Sequence, residues 1–143
     1  MNTKLYKQTH TLASELMDAA EAGDDAKFAQ LYQLLKTLCY DHENDPQKNH
    51  PVQWETLADF TEDSNEALAI YDKALIYAEA INAPDYLASI CYAVALLLSE
   101  DSDLDSNGEN ALAAAQQASE HAARIEDSEL QREIATLLKK LQK

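Results

Sequence analysis

The chain has 143 residues, enough for one domain with a substantial core, and 46% of them are apolar. Two glycines and three prolines leave few places to turn, and strong helix formers fill the stretches between them, which argues for long helices and against a sheet. A formal net charge of −15 leaves no basis for the clustered cations that nucleic acid or an anionic membrane requires, and no run approaches the roughly 20 apolar residues of a membrane span.

The N-terminal MNTKLYKQTH has no hydrophobic region of the signal-peptide kind, so a cytoplasmic location is expected. Residues 3–22 read as a first helix, closed by Gly23-Asp24-Asp25. From Phe28 the apolar residues Phe28, Leu31, Tyr32, Leu35, Leu38 and Cys39 fall at helical spacing on one buried face, so a first hairpin is expected over 3–40. An acidic linker, 41–50, follows. It mixes His42 and His50 with Asp41, Glu43 and Asp45, but the histidines lack the close spacing that makes zinc motifs specific, so it reads as a solvated connection.

A second hairpin is expected over 51–82, its first helix at 51–61, a break at Glu62-Asp63-Ser64, and its second helix carrying Ala67, Ile70, Tyr71, Ala74, Tyr77, Ala78 and Ile81. A third, over 84–125, pairs a helix at 85–99 with one bearing Ala111, Ala114, Ala115, Ala118, Ala122 and Ile125. The last segment, 127–142, sets Leu130, Ile134, Leu137, Leu138 and Leu141 on one face and ends in Lys139, Lys140 and Lys143, cations well placed against a C-terminal helix dipole. It reads as a cap. The second-helix template starts at Phe28, Ala67 and Ala111, offsets of 39 and 44 residues, and a repeat of that length marks stacked helical hairpins. Cys39 and Cys91 lie inside apolar stripes, where a thiol behaves as a small buried hydrophobe.

The second hairpin resembles the tetratricopeptide repeat family. Trp54, Leu57 and Ala58 stand at the family's aromatic, Leu and small positions, and Ala67, Tyr71 and Ala74 at its Ala, aromatic and Ala positions. Trp54 to Ala67 is about three residues shorter than the family spacing, the second helix runs on to Ile81, and the closing proline comes only at Pro84, so the likeness is to a longer-helix variety. The resemblance implies an all-α, right-handed stack of three antiparallel hairpins plus a capping helix, about seven helices in one domain. It also implies a scaffold for recognising a protein or peptide.

Charge narrows the partner. Residues 1–36 carry four basic and five acidic groups and residues 124–143 carry five and four, whereas residues 37–123 hold 17 acids against only Lys48 and Lys73. Such a one-signed region favours encounter with a basic protein, although acidity also simply keeps a protein soluble. On the helix from Pro51, Glu55, Asp59 and Glu62 recur at i, i+4 and i+7 with no compensating cation, a costly arrangement on a helix. If Trp54 sits as the resemblance implies, these three fall on the family's concave groove, extended by Glu66, Asp72 and Asp85, with Tyr86 and Tyr92 as aromatic anchors.

The loop SEDSDLDSNGEN contains Asp103, Asp105 and Asn107-Gly108 in the order of the first half of a calcium loop, but Ala114 stands where the bidentate Glu belongs. A calcium-responsive regulator is therefore the rival class to a binding protein. No phosphate loop, nucleophile elbow or metalloprotease helix occurs in the sequence, so no catalytic residue and no cofactor are expected. The most concrete expectation is an immunity-type inhibitor that occludes a basic bacterial toxin, acting as a monomer or weak homodimer. The alternative among binding proteins is a chaperone or assembly adaptor holding a partner peptide.

Overall fold

Where the few turns fall decides where each helix begins, and the polar side chains beside them do the capping. The structure is a computed structural model and describes residues 3–101, 103–105 and 108–142. Among these the chain forms seven α-helices and no strand: α1 (Thr3–Ala22), α2 (Asp25–Tyr40), α3 (Pro51–Asp59), α4 (Ser64–Ala80), α5 (Pro84–Glu100), α6 (Glu109–Ala122) and α7 (Ser128–Leu141). The all-α class expected from composition is what the chain adopts.

Gly23, at φ +69°, closes α1 in the left-handed conformation, and the next amide, of Asp24, donates to the Ala19 carbonyl at 3.0 Å. Asp24 then caps α2, its carboxylate accepting from the Lys27 amide at 3.1 Å. Asn82, at φ 50°, plays the glycine's part after α4, with the Ala83 amide bonded back to the Ala78 carbonyl at 3.0 Å. His50 caps α3 through Nδ1, which accepts from the Val52 amide at 3.1 Å, and Pro51 supplies the preset φ of the first turn.

The chain divides into two compact units, one ending at Tyr77 and the other starting at Ala78, so the boundary falls within α4. In the first unit α1 packs against α2, and both pack against α3. Leu16, Leu35, Cys39, Trp54 and Leu57 are completely buried there. Each such leucine contributes about 1.5–3 kcal/mol through burial.

In the second unit α6 packs against both α5 and α7, and α5 also meets α7. Its α6 face is Ala111, Ala115, Ala118 and Ala122, all buried. Small side chains at that spacing let the facing helix come close, and α5 meets them with a buried row that includes Ala88, Cys91 and Ala95. Leu137 of α7 closes this core with Ala95 and Ala115, packed on by Tyr92, Leu96, Leu138 and Leu141.

Candidate protein-binding surfaces

The segment expected to be a solvated linker is instead tied down by one side chain. Asn49 donates from Nδ2 to the carbonyls of His42, Glu43 and Asp45 at 2.8, 2.8 and 2.9 Å, while its Oδ1 accepts from the Trp54 indole at 3.0 Å. Between them Pro46–Lys48 makes a single 3-10 turn, capped by Asp45 onto the Gln47 amide at 3.0 Å. The fold thus holds Glu43 against α4, where it pairs with Lys73. The Lys73 ammonium also lies over the rings of Tyr40 and Trp54, at 5.7 and 5.2 Å from their centroids. His42 and His50 are therefore parts of a built loop and a helix cap. Among the described residues, no group of His, Cys, Asp and Glu side chains is arranged to hold a metal.

The acidic row expected on one face of the helix from Pro51 does not survive intact. Helix α3 stops at Asp59, and Glu62 lies in the connection beyond it, exposed. The stop has a local cause. The Phe60 amide is shared between the Thr56 and Leu57 carbonyls at 3.3 Å each, and the Thr61 hydroxyl takes up the Leu57 carbonyl at 2.7 Å. Phe60 meets Phe28 edge-on at 6.2 Å, and Asp63 then accepts from the Asn65 amide at 3.1 Å to start α4. A helix continued past Asp59 would forfeit these contacts.

The remaining acids of that region are largely engaged within the unit. Asp59 accepts from the Tyr71 hydroxyl at 2.5 Å. As a residue it keeps contact with solvent, but the atoms crowding its carboxyl push its pKa up, and the Tyr71 hydrogen bond offsets part of that rise. Burial, the Asp59 charge and its hydrogen bond, and more weakly Glu55, push the Tyr71 phenol up. Glu66 binds Lys36 at 3.1 Å, and that hydrogen bond raises the Lys36 pKa. Glu55 is half-buried, while Asp72 is exposed on α4. Glu62 and Glu66 border a cleft of about 260 Å³ floored by Phe28, Tyr32 and Phe60.

The second unit gathers acids of which the sequence pattern singled out only Asp85. A cleft of about 730 Å³ between the start of α5 and the start of α7 is lined by Asp85, Glu126, Asp127, Glu129 and Glu133, with Ser89, Ser128, Ile125 and Leu130. Among the described residues its wall contains no lysine or arginine. Asp127 is committed to capping α7, accepting from the Leu130 amide at 3.0 Å. Gln131 fixes the approach to the helix by donating to the carbonyls of Ala122 and Ile125 at 2.8 and 2.9 Å. None of Asp85, Glu126, Glu129 and Glu133 has a cationic partner among the described residues. Ile125 and Leu130 add an apolar floor suited to the methylene stem of a long cationic side chain.

Of the expected anchors, Asp85 belongs to this cleft, Tyr86 is half-buried near it in the chain, and Tyr92 is packed on the Ala95, Ala115 and Leu137 core. Burial, with the nearby charges of Glu133 and Glu100, pushes the Tyr92 phenol up. Tyr92 is only partly buried there, so one side of it stays in contact with solvent.

The calcium candidates are also reassigned. Asp105 is buried and accepts from the amides of Asn110 and Ala111 at 3.2 and 2.7 Å, so its carboxylate caps α6. Asp103 is exposed, and Asn107 lies outside the described residues. Burial pushes the Cys39 thiol up to about 12 and the Cys91 thiol up to about 11, which suppresses the thiolate that nucleophilic chemistry requires. No family model matches the chain, and no curated protein or solved structure matches it.

Proposed function

We propose that the chain is a non-catalytic protein-binding module that receives a basic segment of another protein in the cleft between α5 and α7. The observation that carries this reading is the set of Asp85, Glu126, Glu129 and Glu133 around one cleft with no lysine or arginine on its wall among the described residues. Carboxylates held together without partners repel one another, and a lysine or arginine entering between them relieves that repulsion while its stem covers Ile125 and Leu130. The exposed Asp72 and Glu62 of the first unit add to the same long-range field.

The most concrete form of this reading is an immunity-type inhibitor of a basic bacterial toxin, acting by occlusion, with the net charge of −15 speeding the encounter. The proposed scaffold is a set of tetratricopeptide-like hairpins, a reading with which the packing of α1 on α2 and of α5 on α6 is compatible.

The test uses the full chain labelled for amide NMR and titrated with an oligo-arginine peptide. Shifts should concentrate at 85–89 and 125–133 and collapse at high salt. Changing Glu129 and Glu133 together to Gln should weaken binding by roughly tenfold, since each rim charge is worth up to about 1 kcal/mol. Shifts spread evenly over all acidic residues, or affinity unmoved by the double change, would remove the cleft as the binding site.

A further inference from the structure

We infer that the aromatic cleft between the first half of α2 and the α3–α4 connection takes the side chain of an arginine presented by another protein. The site lies wholly in the first unit and does not depend on the cleft between α5 and α7. Its floor is Phe28, Tyr32 and Phe60, all half-buried, with the Phe28 and Phe60 rings inclined at 62° and 6.2 Å apart between centroids. Because the two planes are inclined, a head group that meets one ring at its edge meets the other nearer its face, where a cation is attracted. At about 260 Å³ the cleft falls below the size of most small-molecule pockets, and it admits one side-chain head rather than a whole peptide.

The polar groups on the wall select that head. The Thr61 hydroxyl has one hydrogen and donates it to the Leu57 carbonyl at 2.7 Å, so the Tyr32 hydroxyl, 2.7 Å from the Thr61 oxygen, is the donor of that pair. Both hydroxyl hydrogens are thereby spent. The other polar side chains of the wall are the carboxylates of Glu62, Asp63 and Glu66. Asp63 uses one oxygen on the Asn65 amide and Glu66 one on Lys36, each at 3.1 Å, while Glu62 is exposed and has no partner among the described residues. The wall thus offers side-chain acceptors without a side-chain donor, and Lys36 offsets only one of its three charges. A fitting occupant brings donors, positive charge and a flat apolar face together. A guanidinium has five N–H groups on a planar, weakly hydrated cation that stacks on rings, whereas an ammonium is a strongly hydrated point charge. A quaternary ammonium has no N–H to give.

The chain that carries the arginine has room beside it. A second cleft, of about 600 Å³, shares Phe28, Ala29 and Glu62 with the first and adds Ala20 and Asp25. Ala20 and Ala29 are exposed and project only methyl groups, which leaves space for a main chain to pass, and Asp25 adds an exposed carboxylate. Among the described residues neither wall holds a lysine or arginine.

The test titrates the full chain, labelled for amide NMR, with N-acetyl-arginine amide, N-acetyl-lysine amide and tetramethylammonium chloride at matched ionic strength. The arginine amide should shift residues 25–32 and 60–66 with the weak affinity of a single head group, and the other two probes should bind there at least about threefold more weakly. Phe60→Leu keeps the apolar bulk and removes a ring, so it should weaken the arginine amide by about twofold to fivefold, with circular dichroism checking that the variant is folded. Glu62→Gln, at an exposed position outside the helices, should weaken it by about twofold without touching the fold. With Glu129 and Glu133 both changed to Gln the shifts at 25–32 and 60–66 should persist, so failure of the α5–α7 site is told apart from failure of this one. Equal affinity for the three probes, shifts absent from these residues, or an affinity unmoved by both Phe60→Leu and Glu62→Gln would overturn the inference.

Discussion

Asn49→Ala is the change that should cost this protein most for its size. The side chain engages four partners at once: its two amide hydrogens are shared among the carbonyls of His42, Glu43 and Asp45, and its Oδ1 accepts from the indole N–H of Trp54. Trp54 is completely buried, so truncation strands a donor that water cannot reach, a loss of about 1–3 kcal/mol. The three carbonyls lie nearer the surface, where water replaces much of what is lost, and together they add about 1 kcal/mol. At about 3 °C per kcal/mol for a chain of this length, the Tm should fall by about 6–12 °C. The chain has a single tryptophan, so its fluorescence reports this one environment, and emission should shift to the red in the folded variant. Asn49→Asp separates acceptor from donor. It can still accept from the indole, but it sets a carboxylate against three carbonyl oxygens, so it should be at least as damaging as alanine. In the background Trp54→Phe, where no indole awaits a partner, Asn49→Ala should cost clearly less than in the parent. A Tm change under about 2 °C for Asn49→Ala, with unshifted emission, would refute the role given to this side chain.

Asp105→Ala should destabilise the protein by about 1–2 kcal/mol by uncapping α6, and Asp105→Asn, which keeps one acceptor oxygen, should cost about half as much. Added calcium should leave the thermal midpoint of the parent unchanged; a rise that Asp105→Asn abolishes would make the carboxylate a ligand instead. Asp59 titrates above its ordinary range in the folded state, so its proton is held more tightly folded than unfolded. Its contribution is therefore most favourable below the unfolded carboxyl range and is lost as pH rises through the folded value. Asp59→Asn should raise stability near neutral pH, helped by about 0.3 kcal/mol from relieving the i, i+4 repulsion with Glu55, and the gain should shrink as pH falls. Urea titrations at two pH values would show it, and a gain that grows toward acid would contradict the assignment.

Helix periodicity placed most of the apolar faces because burial itself imposes that periodicity, although Ile81, expected on the face of the second hairpin, lies past the end of α4 and is 51% exposed. Leu31, Leu35 and Cys39 in α2, and Ala111, Ala115, Ala118 and Ala122 in α6, are buried as their spacing requires. The end of α3 was illegible because it depends on Phe60 meeting Phe28, a contact across 32 positions of sequence, and on the Thr61 hydroxyl competing for a helix carbonyl. Periodicity carries neither. The 41–50 segment misled in the same way: its composition is that of a solvated linker, and only the return of Asn49 onto His42, Glu43 and Asp45 makes it a built loop. Asp105 offered a clearer hint, since an acid a few residues ahead of an apolar helical stripe is a helix-start signal as well as half of a calcium loop.

Charge is where sequence and space part most sharply. Residues 124–143 balance five basic groups against four acidic ones, and by composition that end has no net preference for a partner. A helix does not average its charges, because its dipole favours acids at the start and cations at the end. Helix α7 follows that rule, with Glu129 in its first turn and Lys139 and Lys140 in its last. Its 14 residues set the two groups roughly 15 Å apart, about two Debye lengths at physiological salt. The lysines therefore do little to neutralise the cleft. What the cleft does feel is Asp85, more than 40 positions earlier in the chain and brought to the same wall by α5. A basic segment arriving there meets an acidic surface assembled from two stretches, one of which carries one basic group more than its acids when its charges are counted along the chain.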